Sequence, residues 1–102
     1  MSSGYVGVSR FRVSNGMEQN VAAAFRERAH LVDGAEGFLR LDVISPADDD
    51  SEFWLLTYWT DEESFRTWHH SHQYRESHSG IPKGLKLDPT ATSFRSFRHI
   101  AS

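Results

Sequence analysis

Residues 68–80 read WHHSHQYRESHSG, which places four of the chain's six histidines behind a tryptophan within thirteen positions. Imidazole is the side chain best suited to hold a transition metal or to move a proton near neutral pH. His69 and His72 stand three apart and could share one metal ion, but zinc takes three or four ligands and no third is evident nearby. The HExxH pattern is absent as well. The alternative for His69, His70 and His72 is a polar helix surface, with His70 facing solvent. His78 precedes the loop SGIPKG. It can be read as a metal ligand at a helix end, or as a cation favoured there by the helix dipole.

Other chemistries lack their residues. With no cysteine there is no disulfide, thiolate ligand, iron–sulfur cluster or thiol nucleophile. No Ser-His-Asp order, glycine-rich phosphate loop or paired-carboxylate pattern stands out, so no nucleotide cofactor is expected. A net charge of -3 argues against nucleic acid, since binding phosphates requires a basic stripe. No apolar run nears the roughly 20 residues that span a bilayer, and MSSGYVGVSR has no apolar signal core. The acidic run at 47–50 reads as a solvated hairpin tip, without the spacing of a calcium loop. The expectation is a soluble, cytoplasmic single domain over residues 1–102 that binds neither nucleic acid nor membrane. Seven Phe, three Trp and three Tyr bury about 150–250 Å² each, so they either reinforce a small core or line a planar pocket.

Several elements must position these groups. YVGVSRFRV, residues 5–13, alternates with period two and reads as a strand: Tyr5, Gly7, Ser9, Phe11 and Val13 fall on one face, Val6, Val8, Arg10 and Arg12 on the other. After the SNG turn, residues 17–32 carry Val21, Phe25, Ala29 and Val32 at helical spacing, and Gly34 suits a C-terminal cap. FLRLDVI, residues 38–44, alternates again, with Leu39, Leu41 and Val43 opposite Phe38, Arg40, Asp42 and Ile44. EFWLLTYW, residues 52–59, is apolar on both faces, as a covered central strand would be. Thr60 and Glu63 form a capping box that opens a helix with Phe65, Trp68 and His69 or His72 inward. TATSFRSFRHI ends the chain as a strand.

The order β-α-β-β-α-β predicts an α+β, ferredoxin-like sandwich: four antiparallel strands with two helices on one face. The other face would then be an apolar patch of a size that monomers seldom expose. Pairing two sheets face to face would bury it, which predicts a symmetric homodimer, a dimeric α+β barrel.

FRERAHLVDGAEGFLRLDVISP, FWLLTYWTDEESFRTW and RESH together resemble the antibiotic biosynthesis monooxygenase superfamily, and within it the small haem-degrading monooxygenases. The likeness covers roughly residues 5–100. The resemblance implies haem as both substrate and cofactor, with dioxygen and an external reductant or electron donor. It also implies an axial histidine at His78, a ring-distorting tryptophan at Trp68, and a polar group on the first strand that hydrogen-bonds the iron's distal ligand. That last place, an asparagine in the haem-degrading members, is held here by Ser9, which is shorter. The residues to which it assigns roles are therefore Ser9, Trp68 and His78, with Arg28 (and Lys83 or Lys86 at the rim) available to a haem propionate. Each has a plainer alternative: a tolerated strand serine, a core tryptophan, a helix-end histidine and an exposed arginine. Two other functions stay open, a cofactor-free monooxygenase acting on an aromatic polyketide or quinol and a non-catalytic haem-binding dimer.

Overall fold

The computed structural model describes residues 4–27, 31–71 and 82–102, so Arg28, His30, His72 and His78 lie outside the described residues. Its elements are β1 (Tyr5–Arg12), α1 (Glu18–Arg26), β2 (Phe38–Ile44), β3 (Glu52–Trp59), α2 (Glu62–His69) and β4 (Ser93–Arg98), with 3-10 turns at Leu31–Gly34 and Pro89–Ala91. The strands form one antiparallel sheet in the order β2-β3-β1-β4. This is the expected ferredoxin-like α+β arrangement.

β1 pairs with both β3 and β4, so Gly7 lies between Thr57 and Ser96, and Ser9 between Leu55 and Phe94. Its odd-numbered residues face the helices, where Tyr5 meets Phe65 of α2 and Phe11 meets Phe25 of α1. The even-numbered residues face away. Loop 82–88 is tied to the β1–α1 turn: Ser14 N–H donates to the Lys86 carbonyl at 2.9 Å, and Asn15 Nδ2 to the Gly84 carbonyl at 2.7 Å.

Three local readings change. The helical phase does not run on to Val32; α1 closes at Glu27, whose N–H bonds the Ala23 carbonyl, and Val32 lies in a 3-10 turn closed by Ala35 N–H to the Val32 carbonyl. In β2 the register shifts between Phe38 and Arg40, so Phe38 pairs with Trp59 and packs edge-on against it at 5.4 Å. Phe38 therefore joins the core side and Leu39 is left 60% exposed, the reverse of the simple alternation. The cap of α2 is Asp61 rather than Thr60: its carboxylate accepts from Ser64 N–H at 2.8 Å, while Thr60 N–H is engaged by the Gly37 carbonyl at 2.8 Å.

Candidate functional site

The core under the helices is divided. One cluster unites Tyr5, Val32, Trp59 and Trp68, with Phe38, Leu41 and Phe65 packed against it. The other unites Val13, Val21 and Phe53 with Phe11, Phe25 and Val43. α2 contributes to the first and α1 to the second. Between them, on the helix side of the sheet's two central strands, lie Gly7, Ser9, Leu55 and Thr57, which belong to neither. The midline of the sheet thus carries two hydroxyls and a glycine where a continuous core would carry apolar side chains.

Ser9 is half-buried in this seam. Among the described residues its hydroxyl makes no hydrogen bond, whereas Thr57 Oγ1 donates to the Gly7 carbonyl at the long distance of 3.5 Å. Trp68 is on the same side of the sheet but takes a core position, 7% exposed, against Tyr5, Val32 and Trp59. Ser9 lies four residue steps along β1 from Tyr5, about 13 Å at about 3.3 Å per residue. Trp68 and Ser9 therefore share a sheet face, with Trp68 buried at one end of the seam and Ser9 in its middle.

Phe65 organises the end nearer α2. Its ring lies 5.0 Å from Tyr5, 5.8 Å from Trp59, 5.7 Å from Phe94 and 5.3 Å from His69, the last two stacked. His69 is exposed, as the surface reading expected and not inward with Phe65 and Trp68, yet its ring is laid on Phe65. Among the described residues no three of His, Cys, Asp and Glu are grouped to hold a metal ion. Among the described residues the indole nitrogen of Trp59 is buried without a hydrogen-bond partner.

Two surface depressions lie outside the seam. One, about 430 Å³, runs along α2 between Gly34, Glu36, Asp61, Glu63 and Thr67, touching Trp68 from outside. Its Asp61 is committed to capping α2, which holds that carboxyl below the usual carboxylate value, first through the backbone N–H of Ser64. The other, about 390 Å³, adjoins Tyr5, Glu62 and Phe97. Neither is lined by Ser9, Gly7 or Thr57.

The opposite sheet face carries Val6, Val8, Leu56, Trp54, Tyr58 and Phe97. Three of its aromatic rings have a guanidinium over them: Arg10 on Trp54 at 5.8 Å, Arg40 on Tyr58 at 4.4 Å and Arg95 on Phe97 at 5.2 Å. The Tyr58 hydroxyl, then the charge of Asp42, raise Arg40 above the ordinary arginine value. At the strand end Glu52, 8% exposed, accepts from Trp54 Nε1 at 2.7 Å and from Arg12 Nη2 at 3.0 Å.

The sequence reading passed over Thr57 and gave Gly7 no role. The signal for Thr57 was a lone hydroxyl within the apolar run FWLLTYW. Gly7 is marked by close approach: a Cβ there would stand 3.1 Å from Thr57 Oγ1 and 3.4 Å from both Phe65 and Phe94. Arg28 and His78 are beyond the described residues, and Lys83 and Lys86 are exposed in the loop tied to the far end of β1. No helix among the described residues is long and apolar enough to cross a membrane.

The family model described as antibiotic biosynthesis monooxygenase matches residues 5–80. Among curated proteins, the chain is similar to the Mycobacterium tuberculosis protein named heme oxygenase (mycobilin-producing), with 27% identity over 63 residues. That match covers 62% of this chain and 60% of the relative, less than two thirds of the relative's length. It is also similar to the Staphylococcus saprophyticus heme oxygenase (staphylobilin-producing), 28% identical over 81 residues, 78% of this chain and 77% of that protein. Two solved structures share the fold. SnoaB, a cofactor-independent oxygenase from Streptomyces nogalater, has a TM-score of 0.78 at 19% identity, covering 99% of this chain and 97% of that one. The heme-degrader MhuD from M. tuberculosis, with two hemes bound in its active site, has a TM-score of 0.76 at 21% identity, covering 96% and 97%.

Proposed function

Because the chain belongs to the antibiotic biosynthesis monooxygenase family, we propose that it is a haem-degrading monooxygenase that opens the porphyrin oxidatively and releases iron. The observation that carries this reading is the divided core. A haem has broad apolar faces and its reacting centre at the middle of the ring, and the seam offers apolar flanks with the Ser9 hydroxyl, which makes no hydrogen bond among the described residues, at its middle. The relatives named heme oxygenases support the same choice.

Bound as substrate and cofactor, haem supplies the iron chemistry that activates dioxygen, with electrons from an external donor. His78 would hold the haem iron. Ser9 would donate a hydrogen bond at the reacting centre, directly or through a water it orders. Trp68, held by Tyr5, Val32 and Trp59, is a rigid wall that keeps the ring from lying flat. Arg28 neutralises a propionate. The two clusters exclude water on either side of the reacting centre.

The functional unit in this proposal is a homodimer in which the open sheet faces of two copies meet. Its support is that Ile44 and Phe97 remain 51% and 42% exposed beside Trp54 and Leu56. Light scattering should give twice the chain mass for the wild type and a monomer for Leu56→Glu.

The test of function is a haemin titration followed by absorbance, with His78→Ala alongside, then ascorbate under air. A Soret shift that saturates at one haem per chain and is changed in the variant, followed by bleaching with iron release, is the expected result. Saturation without bleaching would make the protein a haem carrier. An identical, non-saturating response from both proteins would remove the haem reading. In that case a cofactor-free oxygenase of an aromatic polyketide or quinol takes its place, a reading favoured by Ser9 in the asparagine position and by the fold shared with SnoaB.

A further inference from the structure

We infer that Phe94 is a substrate-stacking residue, the ring that borders the seam on its β4 side and lies flat against a planar substrate. The inference rests on the proposed function and deepens it. Phe94 pairs directly with Ser9, on the helix side of the sheet, and residues so paired hold their Cβ atoms about 4.5–5.5 Å apart. The residue is 49% exposed although it lies on the side the helices should cover, because α2 packs over β1 and β3.

The orientation of the ring is nevertheless fixed. It stacks on Phe65 with planes 14° apart and centroids at 5.7 Å, and Phe65 is itself held by Tyr5 and Trp59. Gly7 allows this, since a Cβ there would stand 3.4 Å from each of the two rings. One face of Phe94 is therefore engaged by Phe65, and the exposed remainder is a flat apolar surface beside the Ser9 hydroxyl. Among the exposed large apolar residues, Phe94 is the one paired directly with Ser9 on the helix side of the sheet, where a substrate in the seam would cover it. Phe97, three residues on, lies on the opposite face and cannot serve.

The test uses the full chain and two probes, haemin and metal-free protoporphyrin IX, because the second stacks without iron ligation. Wild type, Phe94→Ala and Phe94→Tyr are titrated by absorbance and by quenching of tryptophan fluorescence, and each melting temperature is recorded. Phe94→Ala should weaken both probes by about 3- to 10-fold, as loss of one aromatic stack implies, while Phe94→Tyr stays within about twofold. Equal affinities for Phe94→Ala and wild type would overturn the inference, as would an equal loss in Phe94→Tyr. So would a fall in melting temperature matching that of Phe65→Ala, which would make Phe94 a core residue. Failure of the wild type to bind haemin removes the haem reading and this inference together; normal wild-type binding with an indifferent Phe94→Ala removes the inference alone.

Discussion

Replacing Gly37 with alanine tests how the site is held at the junction of β2 and α2. Gly37 has φ +80°, and a Cβ there would run into the Ser64 side chain and stand 2.8 Å from Thr60 Oγ1. The left-handed conformation costs a non-glycine residue about 1–2 kcal/mol, and forcing atoms into a packed site costs about 1–3 kcal/mol. The steric part weighs heavily because Ser64 belongs to the first turn of α2 and its N–H is fixed by Asp61. A total of about 2–5 kcal/mol follows, or roughly 10–30 °C in melting temperature for a domain of this size. The chain supplies its own controls. Gly16 and Gly84 have φ of +77° and +81° with nothing within 4 Å of an added Cβ, so their alanine variants should lose only the conformational part, about 1–2 kcal/mol. Gly34 has open space and no left-handed φ, so Gly34→Ala should gain about 0.4–1 kcal/mol from a less flexible unfolded chain. Urea unfolding of the four variants would measure the series. If Gly37→Ala fell within about 0.5 kcal/mol of Gly16→Ala, the close contact with α2 would carry no energy and the reasoning would fail.

Other expectations concern pH, polar burial and catalysis. The carboxyls of Asp49, Asp61 and Asp88 are held below the usual value, chiefly by Ser51, Ser64 and Thr90 respectively. Their folded-state pKa is depressed, so the stability they contribute is present above about 3.9, the unfolded value, and is lost as pH falls through the depressed values. The part of the melting temperature that these carboxyls support should therefore be lost below about pH 4, and Asp61→Asn, which retains an acceptor at the cap, should lose less there. Arg12→Ala leaves the buried Glu52 with Trp54 alone and should cost about 1–3 kcal/mol in urea unfolding; pairing it with Glu52→Gln should recover part of that. Trp59→Phe removes a buried indole N–H that has no partner, so it should cost less than about 2 kcal/mol, well under the 3–5 kcal/mol typical of emptying a phenylalanine site such as Phe53→Ala. Ser9→Asn lengthens the polar arm in the seam and should raise the initial rate of haem bleaching; an unchanged or lower rate would deny Ser9 its distal position.

The strands were legible because their physics is local: alternation in residues 5–13 and the two-sided apolar run at 52–59 each announce a pleated element at its place in the sheet. What resisted reading was decided by distant partners. Phe38 turns inward because Trp59 and Phe65 wait on that side, and the extra residue at Leu39 absorbs the change. Thr60 and Asp61 are both good caps by type; the Gly37 carbonyl takes the N–H of Thr60, extending the chain there and passing the cap to Asp61. Of the candidate site, Ser9 and Trp68 take their roles from the family resemblance; alternation and helical spacing place Ser9 on a strand face and Trp68 inward, and leave a tolerated serine and a core tryptophan equally open. Thr57 and Phe94 gained meaning only when the register brought them beside Gly7 and Ser9.

The division of the core has a mechanical side. Each helix is moored to one cluster only, and the backbone ladder of the sheet is what the two halves share. Raising α2 would break the packing around Trp68 and Phe65 while Phe11 and Phe53 remain packed against Phe25 of α1. With each helix packed on its own cluster, hydrogen exchange in α2 should proceed through an opening cheaper than global unfolding, while α1 stays protected. Under the proposed function, such an opening would admit a planar substrate on one side while the sheet and the other half of the molecule stay packed.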